Sequence, residues 1–172
     1  MKKAVFLDRD GVINKILIRQ GKVVTPRKSE EFELIEGIGE EVRRIKEAGF
    51  FIFVITNQPD VARGALPRAE LDKMSSAIKS RLPVDEIWIC PHDDDARCDC
   101  RKPKPGMIRQ AQAKYPVDIE GSFLIGDSWK DMKLAGSVGC KGILIDAPYN
   151  QGLDCFARAR DIHGAVDLIL SA

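Results

Sequence analysis

The chain has no long hydrophobic run, no marked excess of charge of either sign, and no internal repeat or low-complexity segment. No stretch approaches the roughly 20 apolar residues that a membrane-spanning helix needs. The 27 basic and 26 acidic residues leave a net charge of +1, which gives no reason to expect nucleic acid or a membrane as partner. Met1-Lys2-Lys3 leads directly into an apolar segment rather than a signal peptide, so a cytoplasmic location is expected.

Histidine is also scarce, which limits the kinds of catalysis to consider. The chain has two histidines, His92 and His163, and no serine in the Gly-x-Ser-x-Gly pattern of α/β-hydrolases. Gly126-Asp127-Ser128 therefore gives little support to a serine nucleophile.

Short apolar runs alternate with helical spacing of apolar residues along the chain. The runs that predict strands lie at 4–7, 50–55, 86–90, 122–125 and 142–145, with helices predicted between them and at 162–170. This alternation predicts an α/β fold, a single doubly wound, Rossmann-like domain over residues 1–172 with a central parallel sheet. Residues 15–31 show no clear period and are expected to form a long loop over the end of the first strand.

Polar side chains stand at the ends of four predicted strands. Asp8 and Asp10 follow the first strand, Thr56-Asn57-Gln58 the second, the loop 90–104 the third and Asp127 the fourth. In an open α/β sheet, ligands bind beyond the carboxyl ends of the strands. We therefore expect these groups to face one site.

These groups include the parts that a carboxylate nucleophile needs for phosphoryl transfer. Asp8 would attack phosphorus, and Asp10 would protonate the leaving oxygen and later activate water. Thr56 and Lys102 would hold the transferring phosphoryl group. Taken alone, Thr56 has a plainer role as a strand-end residue and Lys102 as a solvated charge, so the hypothesis depends on their joint placement.

The paired acids near the start of the chain indicate a divalent metal. Carboxylates as close as Asp8 and Asp10 repel each other unless they share a cation, and oxygen ligands suit Mg²⁺. Asp127 would join Asp8 and the main-chain carbonyl of Asp10 on that ion. Asp131 follows Asp127 by one helical turn and would support the site from the same face. The alternative is that Asp127 and Asp131 are acids at a helix N-terminus.

The cysteines predict a second metal site. Three of the five cysteines are bunched, namely Cys90, Cys98 and Cys100, which in a reducing compartment favours metal over disulfides. With His92 they place three thiolates and one imidazole within eleven residues, a set that suits a closed, structural Zn²⁺ site pinning the loop 90–104. The alternative is scattered cysteines and a surface histidine.

The sequence resembles the haloacid dehalogenase (HAD) superfamily of phosphatases. The motifs that carry the resemblance are D-R-D-G at 8–11, T-N-Q at 56–58, R-K-P at 101–103 and G-D-S-W-K-D at 126–131. They occur in the family's order and span about three quarters of the chain. The resemblance implies a HAD-type fold and Mg²⁺-dependent hydrolysis of phosphomonoesters through an aspartyl-phosphate.

The segment C-P-H … C-D-C-R-K-P at 90–103 is similar to one branch of that superfamily, which contains heptose bisphosphate and histidinol-phosphate phosphatases. These proteins lack a large cap domain, and the spacing of the motifs in this chain leaves no room for one. A monomer acting on a small phosphorylated metabolite is expected. The branch implies substrate contacts at Arg19, Asn57, Gln58, Arg101 and Ser128.

Two substrates of that branch stay open. Val61-Ala62-Arg63-Gly64 and Pro105-Gly106 resemble the heptose enzymes, and Arg63 and Arg101 would offer positive charge to a second phosphate. The five residues between His92 and Cys98 instead resemble the short zinc loop of the histidinol-phosphate enzymes. We expect removal of the 7-phosphate of D-glycero-D-manno-heptose 1,7-bisphosphate, with histidinol phosphate as the alternative.

A function of another class is a zinc-stabilised binding module that has kept the fold and lost turnover. The intact set of a nucleophile, an acid and metal ligands argues against it, because a binding module needs none of them together. A nucleic-acid-binding zinc finger is disfavoured as well, because no helix dense in lysine and arginine follows the cysteine cluster.

Overall fold

The computed structural model describes residues 1–172. It has eight strands, of which six form a central sheet and two, Leu17–Arg19 and Lys22–Val24, form a separate hairpin. The strands are β1 (Lys2–Leu7), β2 (Leu17–Arg19), β3 (Lys22–Val24), β4 (Phe51–Asn57), β5 (Glu86–Cys90), β6 (Val117–Gly126), β7 (Lys141–Ile145) and β8 (Ala157–Ala159). The helices are α1 (Ile38–Glu47), α2 (Arg68–Arg81), α3 (Gly106–Lys114), α4 (Trp129–Val138) and α5 (Ile162–Leu170). No helix has the length and apolar character needed to cross a membrane.

The large sheet is parallel throughout, with the strand order β5-β4-β1-β6-β7-β8. Strand β1 lies inside the sheet, and its last residue Leu7 pairs with Val54 on one side and Ile125 on the other. From β1 the chain proceeds to β4 and β5 on one side and then crosses to β6 on the other. The carboxyl end of β1 therefore lies at the switch point of the topology, where ligands bind in open α/β sheets. The predicted doubly wound α/β fold is confirmed.

Both faces of the sheet are buried, which explains the uninterrupted apolar runs of its strands. In β1, Val5 and Leu7 enter one core layer and Ala4 and Phe6 enter the other. Helices α1 and α5 cover the first face, and α3 and α4 cover the second. Buried strands of this kind hold their ends rigidly, and the functional side chains stand on those ends.

The structure differs from the sequence prediction at residues 15–31. This segment contains a small antiparallel hairpin of β2 and β3 and a 3₁₀ turn at Ser29–Glu31, where a long loop was expected. Strands of three residues are too short to show a reliable period of two. The hairpin does lie over the carboxyl end of β1, because Val23 and Val24 line the same cavity as Asp8.

Candidate active site

Lys102 is the charged residue that joins the ends of three elements. Its Nζ donates to Asp8 Oδ1 (2.8 Å), Asp131 Oδ1 (2.7 Å) and the main-chain oxygen of Ile55 (3.0 Å), so all three of its N–H groups are used. The side chain is 3% exposed. Burial by itself lowers the pKa of Lys102, but the charges of Asp131 and Asp8 outweigh burial and raise the pKa above its ordinary value. These two ion pairs therefore favour the charged form of the ammonium group.

The backbone of Lys102 is fixed by Asn57 at the end of β4. Asn57 Nδ2 donates to the oxygen of Lys102 (3.1 Å), and the Lys102 N–H donates to Asn57 Oδ1 (3.0 Å). This paired contact attaches the loop after β5 to the end of the neighbouring strand. Asn57, predicted as a substrate contact, lies on the cavity wall and also positions Lys102.

Asp131 lies in the first turn of α4 and has no exposed surface. Besides binding Lys102, it accepts the main-chain N–H of Ser128 (3.2 Å), so the helix start and the lysine share one carboxylate. Ser128, predicted as a substrate contact, lines the cavity beside Asp127.

Three acids, Asp8, Asp127 and Asp131, bring carboxylate oxygens within 4.8 Å of one another. Burial raises the pKa of Asp8 to about 8, against the opposing attraction of Lys102, and burial likewise raises the pKa of Asp127 to about 6. The raised pKa values reflect the cost of ionising these acids together, because one lysine would leave two of three negative charges unbalanced. A divalent cation with a preference for oxygen ligands fits this set, and Mg²⁺ is such an ion.

The carboxylate of Asp10 is held apart from that cluster. It accepts from Gln58 Nε2 (2.8 Å) and Asn14 Nδ2 (3.0 Å), and it forms a two-point ion pair with Arg9 (3.1 and 2.9 Å). Asp10 still lines the cavity. Because its carboxylate is occupied in this way, the main-chain carbonyl is the group that Asp10 has left for a metal ion.

Thr56 lies at the cavity wall, and Gln58 lies deeper in the protein behind it. Thr56 lines the cavity, and its Oγ1 accepts from Gln58 Nε2 (2.9 Å). Gln58 is 1% exposed and lies behind Asp10 rather than on the wall. The structure thus places Thr56 on the cavity wall and Gln58, predicted as a substrate contact, behind it in contact with Thr56 and Asp10.

The site contains two groups that the sequence reading did not identify, on the loop after β7. Tyr149 Oη donates to Asp127 Oδ2, and Asn150 Nδ2 donates to the main-chain oxygen of Asp127 (2.7 Å). Burial, together with the Asp127 charge, raises the pKa of Tyr149 above its ordinary value, so the phenol keeps its proton and donates. The loop follows the carboxyl end of β7, at the same edge of the sheet as the other polar groups, and this position is its signal in the sequence.

These side chains surround a cavity of about 500 Å³ at the carboxyl edge of the sheet. Each of three arginines on its wall is paired with an acid: Arg27 with Asp60 (2.7 Å), Arg63 with Asp93 (2.5 Å) and Arg101 with Asp94 (2.6 Å). Lys130 also lines the cavity. Arg19 does not line this cavity. It pairs with Glu31, and both residues line a separate surface depression.

The cysteine cluster lies directly before Arg101 and Lys102. Cys90 Sγ lies 3.8 Å from Cys98 Sγ and 3.5 Å from His92 Nδ1, which in turn lies 3.3 Å from Cys100 Sγ. A tetrahedral ion with metal–sulfur bonds of about 2.3 Å and a metal–nitrogen bond of about 2.0 Å places such atoms roughly 3.5–3.8 Å apart. These three distances lie close to those of a tetrahedral zinc site, and all four ligand atoms lie within 4.8 Å of one another, so the cluster is compatible with zinc.

The chain is similar in sequence to known phosphatases. Residues 99–149 match the HAD-hydrolase-like family. The D-glycero-β-D-manno-heptose-1,7-bisphosphate 7-phosphatase of Pseudomonas putida is 37% identical over 148 residues, which cover 83% of this chain and 82% of the relative. The enzyme of the same name from Escherichia coli K12 is 35% identical over 152 residues, which cover 80% of this chain and 76% of the relative.

A solved structure gives the same result for the whole fold. The D,D-heptose 1,7-bisphosphate phosphatase of B. bronchiseptica, complexed with magnesium and phosphate, superposes with a TM-score of 0.82 at 31% identity and covers 98% of each chain. The alternative of a non-catalytic binding module is therefore set aside, and Mg²⁺ is the metal that fits the acidic cluster. The chain belongs to the family of HAD-like phosphatases that includes the heptose bisphosphate 7-phosphatases.

Proposed function

We propose that this chain hydrolyses a phosphomonoester through an aspartyl-phosphate on Asp8, and that its substrate is D-glycero-D-manno-heptose 1,7-bisphosphate, cleaved at the 7-phosphate. The observation that carries the proposal is the convergence of Asp8, Asp10, Thr56, Lys102 and Asp127 on one cavity. These residues come from four segments, namely the turn after β1, the end of β4, the loop after β5 and the end of β6, and all belong to one copy of the chain. A monomer therefore suffices for the reaction.

In the first step, a carboxylate oxygen of Asp8 attacks phosphorus, and the bond between phosphorus and the sugar oxygen breaks. Asp10 gives a proton to the leaving oxygen, so the sugar departs as a neutral alcohol. The Lys102 ammonium group and the Thr56 hydroxyl stabilise the charge on the transferring phosphoryl oxygens.

In the second step, water attacks phosphorus of the aspartyl-phosphate. Asp10, now ionised, takes a proton from this water, and the P–O bond to Asp8 breaks to release inorganic phosphate. Asp8 leaves as a carboxylate and Asp10 regains its proton, so the site returns to its starting state. The Arg9, Asn14 and Gln58 contacts hold the ionised Asp10 carboxylate at the cavity wall, and Asp10 releases at least one of them when it carries the proton.

Asp8, Asp127 and the main-chain carbonyl of Asp10 are the groups that would hold Mg²⁺, with Asp131 held back by Lys102. When bound, this ion neutralises charge on the carboxylates and on the phosphoryl group and so lets two anions approach each other. The excess of negative charge in the Asp8–Asp127–Asp131 cluster, which Lys102 alone does not neutralise, supports this assignment.

The substrate assignment depends on the cationic wall of the cavity. Arg27, Arg63, Arg101 and Lys130 lie on it together, and a second phosphate would compete with the acids that pair with the three arginines. A sugar bisphosphate carries a second phosphate that these groups can meet, whereas histidinol phosphate carries an amine. The five-residue spacing in the zinc loop is the feature that keeps histidinol phosphate as the second candidate.

Comparison of kcat/KM for the two substrates tests the assignment. We expect a preference of about a hundredfold for the heptose bisphosphate in Mg²⁺, because kcat/KM reports differential binding of the transition state. Both anomers are assayed by release of inorganic phosphate, with fructose 1,6-bisphosphate as a bisphosphate control. A preference for histidinol phosphate would reassign the substrate, and equally poor rates on both would reject the heptose while leaving the phosphatase intact.

We propose further that Cys90, His92, Cys98 and Cys100 bind a structural Zn²⁺. All four positions of a tetrahedral site are filled by protein, which leaves none for a substrate. The next residues in the chain are Arg101 and Lys102, so the ion would fix the loop that delivers both to the cavity. Arg101 Nη1 also donates to the oxygen of His92 (3.1 Å), within the same loop.

Cys98→Ser is expected to lower zinc content and melting temperature, and to reduce kcat only in proportion to the loss of folded loop. Serine is a poor zinc ligand, and a loop this polar has no core of its own. Metal content by mass spectrometry and thermal melting give the result. Cys155→Ser is the matched control, because Cys155 lies outside the cluster. Loss of activity with zinc content and melting temperature unchanged would contradict a structural role.

A further inference from the structure

Tyr149 is an aromatic residue that none of the motifs explains. It stands on the loop after β7, is half-exposed at the edge of the cavity, and donates its hydroxyl to Asp127 Oδ2. The loop is held in place by Asn150, whose Nδ2 donates to the main-chain oxygens of Asp127 (2.7 Å) and Ile145 (2.8 Å). Asn150 is 1% exposed, so Tyr149 is attached to a rigid support.

The same oxygen of Asp127 lies close to Gly11, in the space that a side chain at position 11 would fill. A side chain on Gly11 would meet Asp127 Oδ2 at 2.3 Å, and Gly11 has a φ of +84°, which favours glycine. The Tyr149 hydroxyl therefore occupies Oδ2 with a hydrogen bond, and only the absence of a side chain at Gly11 leaves room for this oxygen. We take the other oxygen, Oδ1, as the one that would bind a metal ion.

We infer that Tyr149 is a positioning residue that restricts Asp127 to one coordinating oxygen and thereby favours Mg²⁺ over Ca²⁺ at the catalytic site. This inference rests on the proposed function, because it takes Asp127 as a metal ligand. Mg²⁺ is small and octahedral and keeps several waters beside one or two carboxylates. Ca²⁺ takes six to eight oxygens and often binds a carboxylate through both of its oxygens. A carboxylate with one oxygen occupied suits the first ion and limits the second.

Tyr149→Phe removes only the hydroxyl and keeps the ring. We expect its affinity for Mg²⁺ to fall about tenfold, since partners that orient a metal ligand typically contribute at least that much to affinity. Affinity for Ca²⁺ should stay the same or increase, because the freed Oδ2 becomes a second ligand atom. The ratio of Mg²⁺ to Ca²⁺ affinity therefore falls.

Isothermal titration calorimetry on metal-free protein measures both affinities without turnover. The titrations use Mg²⁺ alone and Ca²⁺ alone, on the wild type, Tyr149→Phe, Asp127→Asn and Tyr115→Phe, with a thermal melt of each. Tyr115 is the other tyrosine of the chain and packs against Phe51 and Phe53, away from the carboxylates. Its variant controls for the loss of a phenol hydroxyl as such.

A fall in the Mg²⁺ to Ca²⁺ ratio for Tyr149→Phe, with Tyr115→Phe like the wild type, supports the inference. If Tyr149→Phe keeps the wild-type ratio while Asp127→Asn loses both ions, the inference is wrong and the proposed metal site stands. If Asp127→Asn binds both ions like the wild type, the proposed metal site is wrong and the inference fails with it.

Discussion

Asparagine in place of Asp8 is expected to lower kcat/KM for any phosphoester substrate on the order of 10⁴-fold or more, the scale seen when a covalent nucleophile is removed. An amide has no negatively charged oxygen to attack phosphorus, and the neighbouring acids are unable to replace it. Asp131 is bound to Lys102, and the Asp10 carboxylate is held by Arg9, Asn14 and Gln58. The measurement is release of inorganic phosphate in saturating Mg²⁺.

The fold should survive this substitution. Asparagine has the shape of aspartate, and removing one of three clustered carboxylates reduces the repulsion among them, so the melting temperature should be unchanged or higher. Asp95→Asn, at an exposed position of the loop 91–104, is the matched control for loss of a single negative charge. Turnover by Asp8→Asn above about one hundredth of the wild-type rate would reject Asp8 as the nucleophile.

The position of the site could be predicted because it depends on strand ends. Asp8 and Asp127 each follow an uninterrupted apolar run, and such runs identify buried parallel strands from sequence alone. Once the strands are parallel, their carboxyl ends must lie along one edge. The closeness of Asp8, Asp127 and Lys102 then follows from chain order and needs no knowledge of individual contacts.

The contacts that orient the site could not be predicted in this way. Arg9 stands between two acids in the sequence, where an exposed side chain is the ordinary expectation. In the structure it is 1% exposed, because the segment after β1 folds back and brings the ring of Phe32 to 5.8 Å from the guanidinium carbon. No periodic pattern of apolar residues in the sequence predicts that the segment after β1 folds back in this way. The placement of Gln58 behind Asp10 and of Arg19 outside the cavity depends equally on tertiary contacts.

Tyr149 illustrates the same limit on the other side of the sheet. Its loop follows β7, and the short strand β8 that comes next has only three residues and no clear pattern. The loop is fixed by hydrogen bonds from Asn150 to main-chain oxygens rather than by apolar burial. Hydrogen bonds to main-chain atoms produce no recognisable pattern of residue types. The sequence therefore gives little indication that Tyr149 contacts Asp127.

Methionine in place of Lys102 is expected to reduce the free energy of unfolding by about 3–5 kcal/mol, the usual cost of removing one partner from a buried ion pair. Methionine nearly matches the length of lysine but leaves Asp131 and Asp8 without their counter-charge in a buried site. For a chain of this size, the loss corresponds to a fall in melting temperature of roughly 6–20 °C. Thermal melting is done without Mg²⁺, because a bound cation would replace part of the missing charge.

The same substitution should lower kcat by about 10²–10³-fold in Mg²⁺, because a donor to the transferring phosphoryl group is lost. The double variant Lys102→Met with Asp131→Asn separates the two effects, since it removes the more deeply buried of the two unpaired carboxylates without restoring the donor. We expect it to recover much of the stability and none of the activity, as coupled neighbours do in a double-mutant cycle. Lys133→Met, on the exposed face of α4, controls for the loss of a lysine. If Lys102→Met is as stable as the wild type, Lys102 is not the counter-charge of this cluster. If the double variant regains turnover, Lys102 has no role in the reaction.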